Sequence, residues 1–529
     1  MASWILVPIV AGQGPAIPSQ WMGTTSNLSR ASREALASGA ATALTAYVDP
    51  NMANQPNTGT TTDLPQLKYV ASVFAVLTLQ DHYSGNLTWN DTVTNGLLDY
   101  YQENGLYGKP PNTLNSDAIY WGLTFFYAYR TYRQHSLLDL AIVAYNATYV
   151  NGFISPSAAE SGTGAGRNVS FSPPSGCSGT YAGGVFWTEG VQNNTEITAY
   201  TIAPFLALSA YLYEETNQSV YQEAAQLSAD FAINHLWNGT AFSYTFYPLS
   251  CTMGGDWITI SQWLIEGLAV WANVTRNETL TSFLDVAVSN TTTYSVWSLE
   301  DGVNQEGLKS TDYTSIDKGI FVRALVEARN RNPGTALATY IEAYITVQFN
   351  ALLDHARDPN TDFYSTAWIG PPASSFIAGG NIAALDVLNA AFSFVEDASA
   401  PSSSSHKSNK AGVIAASTVS AIVASTGFAI ALYFWRQRRV EGSANHAEPY
   451  MVQSTTLPST KWNRFYAPHR DEPPASWAIT SEAGPAPTST LDGGYERGLM
   501  TELSDQVRRL YDLVQHRRLS VELPPQYND

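Results

Sequence analysis

The sequence predicts an all-α ectodomain followed by one membrane-spanning helix and a tail. Three observations carry that reading. The pattern is helical over most of residues 20–395, in twelve segments that pair across short turns. Residues 411–435 carry no charge, and Arg436, Arg438 and Arg439 follow at once. A run of that length crosses the ~30 Å hydrocarbon core of a bilayer as a helix, and the basic cluster marks its cytoplasmic end. Eleven N-x-[ST] sequons occur, at Asn27, Asn86, Asn90, Asn146, Asn168, Asn193, Asn217, Asn238, Asn273, Asn277 and Asn290, and none lies after residue 410. The one-sided set agrees with a glycosylated ectodomain outside the cell or in the secretory lumen.

The elements follow in chain order. Residues 2–10 are mostly apolar without a basic start, and Val10-Ala11-Gly12 reads as a cleavage region. Residues 1–19 are therefore expected to hold a short or truncated signal. Helices are expected near 29–47, 64–83, 90–101, 116–133, 136–151, 195–215, 219–235, 259–274, 279–290, 316–329, 335–355 and 379–394. Six such hairpins close into a toroid or stack as an open array; the pattern alone leaves both. Residues 20–395 have no Pro/Ser-rich break, which makes one domain the expectation. The Gly-, Ser- and Pro-rich stretch 151–190 and the stretch 240–256 read as long functional loops. The Ser-rich linker 396–410 cannot build a core and reads as a stalk.

Composition removes several function classes. A formal charge of -18 argues against nucleic-acid binding. There is no C-x-x-C, H-E-x-x-H, phosphate-binding or zinc-like pattern, and the eight histidines are scattered, so no metal or cofactor is expected. Cys177 and Cys251 are the two cysteines, expected either as a disulfide between the long loops or as two buried thiols.

Aromatics and acids carry the candidate chemistry. Tyr120, Trp121, Phe125, Phe126, Tyr127 and Tyr129 fall on one expected helix and cover several of its faces. Aromatic faces stack on the apolar C–H face of a sugar ring, and an acid handles the glycosidic oxygen. Tyr120, Trp121 and Trp187 are the candidate substrate-binding residues. Asp117 sits inside a helix start, where the exposed amides favour an acid and Ser116 is placed to cap. Asp256 follows two glycines at a loop edge. Glu189, Glu196, Asp317 and Asp362 are weaker candidates.

Ser116-Asp117-Ala118-Ile119-Tyr120-Trp121-Gly122-Leu123 resembles the Asp-Asp-x-x-Trp-Trp segment of glycoside hydrolase family 76, the endo-α-1,6-mannanases. Gly183-Gly184-Val185-Phe186-Trp187 looks like that family's Gly-Gly-aromatic loop, and residues 208–213 like its following helix. Asp317-Lys318-Gly319-Ile320-Phe321-Val322-Arg323 resembles its Phe-Lys-Gly-Ile-Phe segment, and residues 383–388 a late helix. The order holds over residues 30–395. The resemblance implies an (α/α)6 toroid of six helical hairpins. It also implies a hydrolase or transglycosylase of the mannan endo-1,6-α-mannosidase type, acting on α-mannan without a cofactor.

The resemblance also shows a departure. The family places two adjacent aspartates at this helix head, and here Ser116 stands at the first, nucleophile position. Asp117 matches the second and is the candidate acid/base. A neutral hydroxyl does not replace a carboxylate without an activating base. Three readings follow: a glycan-binding or wall-organising protein without catalysis, an enzyme that recruits another acid, with Asp256 and Glu189 foremost, or an inverting enzyme. Arg323 and Lys318 are candidates to shape the cleft.

The tail, 436–529, is rich in Pro, Ser, Thr and charge and reads as disordered, with a short amphipathic helix over 495–519. Pro524-Pro525-Gln526-Tyr527 resembles a PPxY ligand of WW domains, and Ser520 follows a basic pair as in a kinase site.

Overall fold

The computed structural model describes residues 14–48, 63–108, 114–255, 259–305 and 312–396. Candidate residue Asp256, the signal region before residue 14, the uncharged run 411–435 and the tail motifs at Ser520, Pro524, Pro525 and Tyr527 lie outside them. Among the described residues no helix is long and apolar enough to cross a membrane.

Burial sorts the helices into two sets. In α2 (Leu67–Ser84) every residue from Leu67 to Asp81 is buried, and in α4 (Asn115–Tyr132) every residue from Asn115 to Tyr129. The same all-round burial marks α7 (Ala199–Thr216), α9 (Leu264–Thr275), α11 (Ile316–Arg331) and α13 (Ala378–Ser393). A helix apolar on every side has to be surrounded. By contrast α1 (Arg30–Tyr47) buries only Arg33, Ala37, Ala40, Ala41 and Leu44, one stripe at helical spacing. The other outer helices are α3 (Asn90–Asn104), α5 (His135–Gly152), α8 (Ser219–Phe231), α10 (Glu278–Thr292) and α12 (Ala336–Ala351). A single-turn helix, α6 (Pro156–Ser161), lies in the long loop.

Contacts close the inner set into a ring. Helix α2 packs on α4, α4 on α7, α7 on α9, α9 on α11, α11 on α13, and α13 back on α2. This is a toroid of six hairpins, and the open array is set aside. Small residues let the inner helices approach. A Cβ on Gly319 would stand 2.9 Å from the Ala383 Cα, and one on Gly267 2.6 Å from the Leu206 Cγ. The ends of the described chain are stitched by Arg33, whose buried guanidinium donates to the Ala391 carbonyl at 2.9 Å.

Alternation of inner and outer helices makes the two mouths unlike. Chain passing from an outer to the next inner helix uses the long segments 48–66, 105–114, 153–198, 232–263, 293–315 and 352–377. Chain passing from inner to outer uses the short turns 85–89, 133–134, 217–218, 276–277 and 332–335. Four of those turns open on a left-handed residue, Gly85, Arg133, Asn217 or Arg276, which stops the inner helix at once. All inner helices thus start at the long-loop mouth. A small antiparallel sheet, β1 (Ile197–Thr198), β2 (Thr245–Tyr247) and β3 (Thr252–Gly254), forms in those loops. A disulfide joins Cys177 to Cys251 and ties the two long loops together.

Candidate active site at the long-loop mouth

Four inner helices carry a charged group in their first turn; Glu266 of α9 is bonded by Tyr127, Tyr211 and Trp263, and the other three gather at this mouth. Lys68 opens α2, Asp117 opens α4 and Asp317 opens α11. All three side chains are buried. The Lys68 backbone amide, one of the orphan donors at the start of α2, faces Asp117 and favours its charged form. Asp317 Oδ2 accepts from the Tyr200 hydroxyl at 3.1 Å. The Lys68 ammonium lies 3.9 Å over the Tyr200 ring and 4.9 Å from the Tyr69 centroid, and donates to Gln66 Oε1 at 2.5 Å. Tyr313 meets Tyr69 at 5.5 Å, and Tyr244 meets Tyr200 edge-on at 4.9 Å.

Burial dominates the electrostatics. Removing water pushes both Asp117 and Asp317 up to about 6, although the Lys68 charge pulls each back. Burial likewise lowers Lys68, and the same two carboxylates oppose that. One oxygen of each acid, Asp117 Oδ1 and Asp317 Oδ1, is buried with no hydrogen-bond partner among the described residues. Burial thus raises both carboxyls into the range where a group can either give or take a proton, and both face the Lys68 ammonium.

Other candidates fall elsewhere. Ser116 is buried, with its hydroxyl unpartnered among the described residues. Trp187 is half-buried, and its carbonyl accepts from the Asn115 amide at 2.8 Å, which holds the Gly-Gly loop against the α4 head. Tyr120 and Trp121 are interior. The Tyr120 hydroxyl pairs with Ser72 at 2.8 Å, and the Trp121 ring stacks on Tyr100 at 4.2 Å, so its face is taken by protein. Glu189 is half-buried and faces Arg167 and Tyr107. Glu196 accepts from Thr245 at 3.5 Å, and Asp362 pairs with Arg357 at 2.5 Å. Arg323 clamps Asp386 with two bonds of 3.0 and 2.9 Å, and Lys318 donates to the Thr366 carbonyl at 2.5 Å. None of the eleven sequon asparagines is buried. Among the described residues no group of three or more His, Cys, Asp or Glu side chains is placed to hold a metal ion.

Sequence reasoning passed over Lys68, Tyr69 and Tyr200, and ranked Asp317 low. A signal existed. In an alternating hairpin array the second helix of every pair starts at the same mouth, so charged residues in those first turns converge.

No protein-family model matches the chain, and no curated protein does. Solved structures match in fold. One is an inactive variant of a family 76 α-1,6-mannanase from Salegentibacter sp., with two successive aspartates changed to asparagine, in complex with α-1,6-mannotriose. It has a TM-score of 0.56 and 13% identity, covering 69% of this chain and 100% of that one. A protein from Listeria innocua matches at 0.53 and 16% identity, covering 68% and 96%. A family 76 mannosidase from Bacteroides thetaiotaomicron matches at 0.51 and 12%, covering 68% and 98%. The protein is thus a helical toroid of six hairpins. More particularly, it has the fold of the glycoside hydrolase family 76 α-1,6-mannanases.

Proposed function

We propose that the protein is a diverged glycoside hydrolase of family 76 that cleaves or transfers α-1,6-linked mannosides. Fold alone does not assign an activity. The supporting observation is that one carboxylate is missing and another has appeared at the same mouth. Ser116 stands where the family has its first aspartate. Asp317 stands where the family's Phe-Lys-Gly-Ile-Phe segment begins with phenylalanine. The pair Asp117 and Asp317, both buried and both raised to about 6, restores the two carboxyls that glycoside cleavage needs. Asp117 protonates the glycosidic oxygen as its bond to the anomeric carbon breaks. Asp317, held by Tyr200, supplies the carboxylate that attacks that carbon or activates a water.

The same proposal places the toroid outside the cell or in the secretory lumen, anchored by residues 411–435 with the tail in the cytoplasm, where a WW-domain protein is the proposed tail partner. Its glycans are α-mannans of a cell wall or related mannosides. Ser116 supports a second reading, a surface protein that binds these glycans without cutting them.

Incubation of the purified protein with α-1,6-mannotetraose separates the readings. Product release that is lost in both Asp117→Asn and Asp317→Asn supports the enzyme, and the anomer formed first, read by NMR, tells attack from water activation. Binding without product supports the receptor. Neither binding nor product removes both.

A further inference from the structure

The small sheet of the long loops has two unlike faces. On one, Phe246 is buried against Tyr181, Phe231 and His235. Side chains alternate along a strand, so Glu196, Thr245, Tyr247 and Gly254 share the other. The register pairs Ile197 with Phe246, which sets Glu196 opposite Tyr247. Tyr247 is 43% exposed. A Cβ on Gly254 would stand 3.0 Å from the Tyr247 Cε2, so the ring lies across that glycine. Half-buried Glu196 accepts from the Thr245 hydroxyl at 3.5 Å beside it. The hairpin is held in place. The Cys177–Cys251 bond fixes its tip, and the Tyr181 hydroxyl donates to the Pro248 carbonyl at 2.8 Å.

This face adjoins the candidate acids. Half-buried Tyr244, just before β2, meets Tyr200 edge-on at 4.9 Å, and Tyr200 bonds Asp317. Burial raises the Tyr244 hydroxyl, and the charges of both Glu196 and Asp317 add to that rise, so the hydroxyl lies within reach of both acids. The Trp187 amide donates to the Glu196 carbonyl at 2.9 Å, which joins the Gly-Gly loop to the same corner. An exposed phenol ring with a carboxylate opposite it suits a pyranose. The C–H face of the sugar lies on the ring, and two neighbouring hydroxyls donate to the carboxylate. The carboxylate repels an anionic guest, so a neutral sugar is the matching one.

We propose that Glu196, Tyr244 and Tyr247 form an outer subsite of the same cleft, holding a mannosyl unit further along the chain than the one at Asp117 and Asp317. This rests on the mannoside reading proposed above. Tyr247 stacks on the sugar, Glu196 accepts from its hydroxyls, and Tyr244 lines the passage between the two positions. No bond is made or broken here. The subsite adds binding that is equal in the ground and transition states, so it lowers KM, leaves kcat and selects longer oligosaccharides.

The test is turnover and binding of α-1,6-mannobiose and α-1,6-mannotetraose by the full chain, as wild type, Tyr247→Ala, Tyr247→Trp and Glu196→Gln. Tyr247→Ala and Glu196→Gln should each raise KM for the tetraose about tenfold, leave its kcat, and leave the mannobiose values as in wild type. If the wild type binds without cutting, the same split is expected in Kd. Tyr247→Trp keeps a stacking ring and should keep the tetraose affinity. A tetraose KM or Kd unchanged in Tyr247→Ala or in Glu196→Gln overturns the subsite and leaves the reading of Asp117 and Asp317 standing. Equal losses for both chain lengths place the residues in the fold or at the reacting centre, and overturn it as well. A wild type that neither binds nor cuts either sugar overturns the mannoside reading and the subsite together.

Discussion

Glu327 at the short-turn mouth and the two aspartates of the long-loop mouth are buried acids of opposite behaviour, while Asp81, near the 85–89 turn, is raised by burial as those aspartates are. At the short-turn mouth, burial pushes Glu327 up, but Arg130 at 3.3 Å and Arg331 at 2.9 Å outweigh it and hold the carboxyl below its usual range. At the long-loop mouth, burial wins, and Asp117 and Asp317 rise to about 6 against Lys68 and, at Asp317, the Tyr69 and Tyr200 hydroxyls. The backbone sets part of this contrast. Inner helices start at one mouth and end at the other, so amide ends gather with the aspartates and carbonyl ends with Arg130 and Arg331. Number and contact decide the rest. Two guanidiniums bond Glu327 directly, whereas a single ammonium is shared by two aspartates. Glu327 is paired by two guanidiniums, whereas each long-loop aspartate keeps one oxygen without a hydrogen-bond partner among the described residues.

That contrast can be broken at either end. The largest effect is expected from Asp117→Asn or Asp317→Asn, each lowering turnover of α-1,6-mannooligosaccharides by about 10²–10⁴-fold while the fold persists. Equal turnover in wild type and both variants would detach the pair from catalysis. Glu327→Gln at the other mouth should do the reverse. It leaves Arg130 buried without its counter-charge, while Arg331 keeps Glu214, and should cost about 3–5 kcal/mol in denaturant unfolding. A loss under 1 kcal/mol would mean that the network is not what holds that mouth.

The pH dependence follows from the sign of the shift. Asp117 binds its proton more tightly folded, at about 6, than unfolded, at 3.8. Protonation therefore stabilises the fold. The gain is complete below 3.8 and lost as pH rises through 6, worth about 3 kcal/mol between those limits. Unfolding measured across that window should show this dependence in wild type and a smaller one in Asp117→Asn, where Asp317, raised alike, still contributes. Opening the Cys177–Cys251 bond by Cys177→Ser and Cys251→Ser together frees a 74-residue separation at the long-loop mouth and should cost about 2–4 kcal/mol. The smallest effect is expected from Lys68→Met. Both aspartates should rise further, moving the activity optimum up by about one pH unit; an unmoved optimum would remove Lys68 from the site.

Much of the fold was legible because its signals are local. The twelve segments match the observed helices to within a few residues, since apolar spacing and turn residues act over one or two helical turns. The stretch 219–235 shows the limit. It ends as a π-helical turn over Ala232–Leu236, as residues 352–356 end the segment at 335–355. Trp121 shows another limit. Nothing in its spacing tells a ring that meets a sugar from one that meets Tyr100.

The sequence by itself determined the helices, the loops long enough to carry a site, and the head position of Asp117 beside Ser116. Only the tertiary structure decided that the hairpins close, and closure brings Lys68, Asp117 and Asp317 together from helices far apart in the chain. It also decided their protonation. Burial is a property of everything packed around a group, and no run of neighbouring residues encodes how much water a side chain has lost.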